Sequence, residues 1–266
     1  MTDDALIRLH CAALPQRPPG SSASGDEEAD VALVASYSAE EALSRPYRIT
    51  VDFSIPAELT SDFVVEDLLR NRASLHVTSA ALDRERFFDG IVSEASFERA
   101  VGNRLHFRVV LRPSLWLLTL REDARIFQEA TAPDIVRTLL GEAGLASTTH
   151  WHVGVHPRLQ FTVLYKESPL NFIQRLCEDA GIFYYFTHDA DGHQLHFSDD
   201  TKSFESLGDP VSSSLAQASE LATPLVHFRR SLRLRTSEVS LRDFDVDAPH
   251  TLPQVSSPIG SPLPQP

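Results

Sequence analysis

The stretch KESPLNFIQRLCEDAGIFYYF, residues 166–186, predicts a helix that is followed directly by a strand. Ser168 can accept a hydrogen bond from the first free N–H groups of a helix, and Pro169 stands where its missing donor does no harm. Gly181 can adopt the left-handed conformation that ends a helix. The aromatic and β-branched run Ile182–Phe186 favours a pleated sheet. Between the two end signals, apolar residues recur at helical spacing at Leu170, Phe172, Ile173, Leu176, Cys177 and Ala180.

A second helix signal stands upstream, and predicted strands surround both helices. Thr131–Gly144 repeats the capping residue, the early proline and the closing glycine of the first helix. Alternating apolar residues over Tyr47–Ile55 and Leu105–Leu111 predict half-buried strands. Asp191-Gly192 predicts a tight hairpin, and Gly90 predicts a bulge at which a strand curls. Curled strands of this kind indicate barrel-like sheets.

Two segments are predicted to lie outside the packed core. Pro15–Asp30 strings Pro, Gly, Ser and acidic residues together and is expected to be a flexible loop. Pro249–Pro266 is rich in proline and is expected to be an unstructured tail. Two further strands are predicted before that tail, at Val226–Arg235 and Glu238–Phe244.

The composition favours a soluble protein without disulfides. At 266 residues and 42% hydrophobic content, the chain can bury an ample core in one large domain or two smaller ones. Its two cysteines, Cys11 and Cys177, lie far apart in different contexts, which suits a reducing compartment. The first residues lack the pattern of a secretory signal, so we expect a chain that is made in the cytoplasm without a membrane anchor. The formal net charge of −13 disfavours nucleic acid and anionic lipid as partners.

Histidines are the best candidates for a reactive site. His150, His152 and His156 follow one another closely, and His150 and His152 would share a face of a strand. A second group runs from His188 to His196 and includes Asp189, Asp191 and Gly192, which resemble a fragment of a calcium loop. Polar strand positions and a hairpin tip explain both groups more simply, so we predict no metal and no cofactor.

Other catalytic patterns are weak. Cys177 stands on the apolar face of a predicted helix, and Glu178-Asp179 closes the last, solvated turn of that helix. The sequence contains neither a Gly-x-Ser-x-Gly elbow nor a phosphate-binding glycine loop. We therefore predict that the chain is not an enzyme.

Several segments, read together, resemble the VgrG spike proteins of the type VI secretion system and, with them, phage tail hub and late-control D proteins. Their order and spacing over Val31–Phe244 carry the resemblance. The segments are Glu41–Tyr47, Arg86–Val92, Leu111–Leu120, Arg125–Gln128, Pro133–Ile135, Glu167–Phe186 and Val239–Phe244.

The resemblance implies an α+β, mainly β fold with two barrel-like antiparallel domains and inserted short helices, incomplete at the C-terminus. We place the first barrel-like domain over residues 1–119, the helices and the second barrel-like domain over 120–248, and the tail over 249–266. Family members continue into an oligonucleotide/oligosaccharide-binding-type barrel and a β-helical needle, which this sequence lacks. We therefore expect a truncated product or a split spike.

The resemblance further implies a structural hub that forms a homotrimer, caps a hexameric inner tube and supports the delivery of effectors into target cells. A separate needle chain or an effector would be a further partner, and the secretion apparatus would carry the hub out of the cell. Two alternatives remain open. The chain could be an adaptor that binds an effector or partner without forming a ring, or, less favoured, a hydrolase with a histidine-bound metal.

Overall fold

A computed structural model describes residues 5–16, 31–79, 84–204, 236, 238–244, 248–251 and 253–258. The chain divides into two compact units, Met1–Pro210 and Val211–Pro266. The first unit contains a closed six-stranded barrel and, after it, two small sheets with two helices. No helix in the described part of the chain is long and apolar enough to cross a membrane.

The barrel is antiparallel, with the strand order β1-β2-β3-β6-β5-β4. Alternate side chains of β3 fill its interior, because Tyr47, Ile49, Val51, Phe53 and Ile55 are each at most 1% exposed. The alternation predicted for this strand is therefore confirmed, and so is the mainly β fold class with a barrel. The strands are β1 (Ala5–Cys11), β2 (Leu33–Ala42), β3 (Arg45–Pro56), β4 (Arg72–Ser79), β5 (Arg84–Val101) and β6 (Arg104–Arg112).

Gly90 does not form the predicted bulge. The register of β5 against β6 shifts further along, between Val92 and Glu94 and between Phe97 and Arg99. Gly90 instead lies where β5 leaves β4 for β6, and a Cβ there would stand 2.8 Å from the carbonyl oxygen of Arg112. The glycine is required by close backbone approach rather than by an inserted residue.

After the barrel, the described residues of the first unit include a two-stranded ribbon, a three-stranded sheet and two α-helices. In the ribbon β7 pairs with β9, and in the sheet β11 lies between antiparallel β10 and parallel β8. The elements are β7 (Asp123–Thr131), α1 (Ala132–Glu142), β8 (Thr149–His152), β9 (Arg158–Glu167), α2 (Pro169–Asp179), β10 (Phe183–His188) and β11 (His193–Ser198).

Both predicted helices are confirmed, with the predicted end signals. The Oγ of Ser168 accepts a hydrogen bond from the backbone N–H of Asn171, and Thr131 caps α1 in the same way. Gly144 and Gly181 follow the two helices with φ values of 73° and 70°. The apolar faces of both helices pack into one core with β10 and β11. The predicted second barrel over 120–248 stays a prediction, since residues 205–235 lie outside the described residues.

The second unit contains a hairpin of β12 (Glu238–Arg242) and β13 (Gln254–Pro258), which pair over their full lengths. The strand predicted at Glu238–Phe244 is confirmed, whereas the expectation of an unstructured tail is wrong for Gln254–Pro258. Prolines bound β13 instead of interrupting it, so no N–H group is missing from its middle. The predicted flexible loop at Pro15–Asp30 lies almost wholly outside the described residues, as does the strand predicted at Val226–Arg235.

Candidate functional site

Asp89 on β5 is a buried polar residue, whose side chain is 3% exposed. Its backbone N–H donates to Nδ1 of His188 at 3.1 Å, and its carbonyl oxygen accepts from the hydroxyl of Tyr47 at 2.5 Å. Its carboxylate accepts from Nε of Arg72 at 2.6 Å and binds Nδ1 of His193 at 2.7 Å. Every polar group of this residue is therefore used. We call Asp89 and these four partners the joint.

The joint connects the barrel with the β10–β11 hairpin. Asp89, Arg72 and Tyr47 belong to barrel strands, whereas His188 and His193 end β10 and begin β11. The ring of Tyr47 also contacts the ring of His188 edge-on, with centroids 4.8 Å apart. A buried carboxylate that is fully hydrogen-bonded fixes the relative position of the groups that bind it. The joint thus attaches the hairpin to the barrel.

The electrostatics of the joint favour ionised carboxylates. Burial by itself would raise the pKa of Asp89, but the hydrogen bonds from His193 and Arg72 together bring it below its ordinary value. The contact with His188 lowers the pKa of Glu41 despite partial burial, and Arg86 adds to the effect. Glu41 lies on β2, 3.5 Å from Nε2 of His188, so it extends the same network to a further barrel strand.

The tip of the β10–β11 hairpin binds the side chain of Arg72. The backbone N–H groups of Asp191 and Gly192 donate to Oδ1 of Asp189 at 2.8 and 2.9 Å, and Nη2 of Arg72 donates to the carbonyl of Asp191. Gly192 has a φ of 148°, and a Cβ on it would lie 2.6 Å from Nη2 of Arg72. The hairpin predicted at this segment is confirmed.

A second attachment lies at the turn between β2 and β3. The backbone N–H of Ser44 donates to the carbonyl of Tyr184 at 2.8 Å, which extends the edge of β10. The side-chain amide of Gln174 on α2 donates to the carbonyl of Ser44 at 3.1 Å and to the hydroxyl of Tyr184 at 2.9 Å. The barrel therefore contacts both the sheet and the second helix of the remaining part.

The structure places three of the candidate histidines side by side. His150 and His152 on β8 and His196 on β11 share one face of the three-stranded sheet, and we call them the histidine row. The ring centroids of His150 and His196 are 4.9 Å apart, and those of His152 and His196 are 5.7 Å apart. His156 lies apart from the row, with Nε2 at 3.1 Å from Oδ2 of Asp199.

Two ring nitrogens of the row lie close together. Nε2 of His152 and Nδ1 of His196 face each other at 3.4 Å in rings whose planes differ by 10°. Among the described residues, no group of three or more His, Cys, Asp or Glu side chains is arranged to hold a metal ion.

The remaining reactive candidates are separate from the joint. Cys177 is 2% exposed, and burial raises its pKa to about 12, which leaves the thiol without nucleophilic character near neutral pH. Glu178 and Asp179 are exposed at the end of α2, as the interpretation as a solvated last turn predicts.

Reasoning from sequence chemistry missed Asp89, Arg72, Tyr47 and Glu41. No spacing signal connects them, because their partners are distant in sequence. The available signals were the segments Glu41–Tyr47 and Arg86–Val92, which contain Glu41, Tyr47 and Asp89 and contribute to the family resemblance.

Comparison with known proteins shows where this architecture occurs. The chain matches the phage tail baseplate hub (GPD) family over residues 40–262. It is 36% identical over 227 residues to the type VI secretion system spike protein VgrG4b of Pseudomonas aeruginosa, covering 82% of this chain and 27% of the relative. It is 33% identical over 221 residues to VgrG5 of the same organism, covering 81% of this chain and 27% of that relative.

Among solved structures, the chain resembles an Escherichia coli component of the type VI secretion system that is similar to the bacteriophage T4 tail proteins gp27 and gp5. The TM-score is 0.64 at 20% identity, covering 90% of this chain and 56% of the other. At this identity the likeness concerns the fold. The chain spans only about a quarter, 27%, of the length of the two spike proteins.

Proposed function

The chain belongs to the phage tail baseplate hub (GPD) family, and we propose that it acts as the hub part of a type VI secretion spike. The observation that carries the proposal is the family match over residues 40–262. The matched range includes most of the barrel and all the sheets and helices that follow it, up to Phe204. The role is structural: the hub is a rigid connector, and no step of bond chemistry is assigned to it.

A connector of this kind must transmit force between its parts without deforming. The joint supports this role, because Asp89 is buried and bound by side chains from both the barrel and the hairpin. Ser44 and Gln174 provide a second point of attachment on the opposite side of β10 from β11. Two separate hydrogen-bonded attachments resist rotation of the barrel against the sheets and helices that follow it better than one attachment does. These two parts of the first unit would therefore move as one body.

The proposed assembly is a homotrimer that caps a hexameric inner tube. Each subunit would contribute two barrel-like domains, so that three subunits present six similar units to the six subunits of the tube. The second barrel, the trimer and the tube contact are all parts of the proposal. Support comes from the family match and from the similarity to spike proteins over 82% of this chain.

Mass measurement in solution tests the assembly. The full chain has a mass of 29.5 kDa, so multi-angle light scattering should detect a species of about three times that mass for the chain alone, or that mass added to the mass of the hexamer when purified inner-tube hexamers are present. A matched sample of tube hexamers alone sets the baseline for the complex. A chain that stays monomeric in both conditions would contradict the hub proposal.

An adaptor role is the second candidate, and one surface favours it. Ile126, Phe161 and Tyr165 project from one face of the β7–β9 ribbon and are 64%, 67% and 63% exposed. Exposed apolar patches of this kind are typical of surfaces that bind another protein. Co-purification of an effector with the monomeric chain, in the absence of tube protein, would support the adaptor over the hub.

A further inference from the structure

The histidine row combines three titratable rings on a short strand pair. His150 and His196 are register partners on β8 and β11, and His152 lies two residues along on the same face. We propose that the row is an acid-sensitive clasp, which holds β8 on β11 while its rings are neutral and releases β8 when they take up protons. The inference concerns the fold of this chain and does not depend on the hub assignment.

The contact between His196 and His152 requires at least one neutral ring. Nδ1 of His196 and Nε2 of His152 face each other at 3.4 Å, so one nitrogen must donate and the other must accept. The other nitrogen of His196 is 2.9 Å from the hydroxyl of Thr187 on β10. If both rings were protonated, two N–H groups would face each other and the two positive charges would repel.

The surroundings of the row offer little compensation for positive charge. From β10 the ring of Tyr185 stacks on His196 with centroids 4.9 Å apart, and from β11 the amide oxygen of Gln194 lies 3.2 Å from Nε2 of His150. Asp199, directly after β11, is bound by the backbone N–H of Gly154 and by His156. The side-chain partners of the row on these elements are thus uncharged.

The direction of the pH effect follows from the burial of His196. Burial lowers its pKa to about 4, and the neighbouring His150 and His152 contribute to the shift. A histidine in water titrates near 6.5. The released state therefore binds protons more readily than the clasped state between these two values, so release increases as the pH falls through this window and is suppressed above it.

β8 is the element that such a charge would free. It has four residues, and its pairing within the described chain is the parallel ladder with β11. On the opposite face, Trp151 stacks on Phe197 with centroids 4.6 Å apart, and the guanidinium of Arg137 lies 4.4 Å from the centre of the Trp151 ring. This packing holds β8 in place at neutral pH. The neutral histidine row stabilises the same strand further, and acid removes this additional stabilisation.

Amide hydrogen exchange of residues 149–152 measures the clasp directly. After correction for intrinsic exchange rates, we expect protection of these amides to fall about tenfold between pH 7.5 and 5.0, allowing for the partial exposure of His196. The fall should be absent in His196→Gln. His10→Gln, an exposed histidine on β1, is the matched control and should behave as the unmodified chain does.

A second variant keeps the test decisive if His196→Gln folds poorly. The double change His150→Gln and His152→Gln affects exposed positions and leaves His196 in place. By ring proton chemical shifts, His196 should titrate near 4 in the unmodified chain and at a higher pH in this variant, which removes the contribution of the two neighbouring rings and leaves the larger contribution of burial. Equal protection at both pH values in the unmodified chain, an equal fall in His196→Gln, or titration of His196 near 6.5 in the unmodified chain would each overturn the proposal.

Discussion

Nδ1 of His193 on β11 lies 2.7 Å from Oδ1 of Asp89 on β5, although 104 residues separate the two in sequence. The contact joins the first residue of a hairpin strand to the buried carboxylate of a barrel strand. Nε2 of the same imidazole lies 3.4 Å from the backbone N–H of Ser114, which begins the segment connecting the two parts. One side chain therefore contacts the barrel and the connection that leaves it.

Replacing Asp89 tests how much the joint contributes to stability. Asp89→Asn keeps the size of the side chain but removes its charge, so Arg72 and His193 lose an ionised acceptor in a buried setting. We expect the free energy of unfolding to fall by about 2–4 kcal/mol. Urea denaturation measures the change, with the exposed Asp62→Asn as control. A loss no larger than that of the control would contradict the role assigned to Asp89.

The same carboxylate should make the protein sensitive to acid. The pKa of Asp89 is lower in the folded chain than its ordinary value of about 3.9, so the unfolded chain binds the proton more readily. Its contribution is therefore complete above about pH 4 and is lost as the pH falls below that value. The loss of urea stability between pH 6 and 3 should be smaller in Asp89→Asn than in Asp62→Asn. An identical loss in the two variants would refute this account.

Local signals predicted the helices and the interior strand well. Ser168 and Thr131 cap the two helices, and the alternation over residues 47–55 places every second side chain inside the barrel. These features depend on residues within a few positions of one another, which a sequence displays directly.

Features that depend on distant residues were not predictable in this way. The requirement for glycine at position 90 comes from the backbone of Arg112 on another strand, so a reading of β5 alone suggested a bulge. Asp89 has its partners up to 104 positions away, and nothing in its neighbours indicates burial beside His193. β13 forms in a proline-rich segment because β12 offers it a pairing edge. Such features are set by tertiary contacts, which override local preference.

Two glycine substitutions should change stability in opposite directions. A Cβ at position 90 would lie 2.8 Å from the carbonyl oxygen of Arg112 and cannot be relieved by rotation of a side chain, so Gly90→Ala should cost about 1–3 kcal/mol. A Cβ at position 141 in α1 meets nothing within 4 Å, and Gly141→Ala should stabilise the chain by about 0.5 kcal/mol. Thermal unfolding of both variants measures the difference. If Gly90→Ala were neutral or stabilising, the backbones of β5 and β6 would have to lie further apart at position 90 than this short contact requires.

The reactivity of Cys177 reports whether the core formed by the two helices with β10 and β11 stays intact. Its side chain is buried between the helices and the sheet, and burial raises its pKa to about 12, so iodoacetamide should not label it in the folded protein at pH 8. In a Cys11→Ser background, labelling should occur only at the rate of unfolding and reach completion in urea. The reciprocal Cys177→Ser variant reports Cys11, which is half-buried on β1. Rapid, complete labelling of Cys177 without denaturant would mean that α2 leaves the sheet readily, and a hub built on that contact would not transmit force.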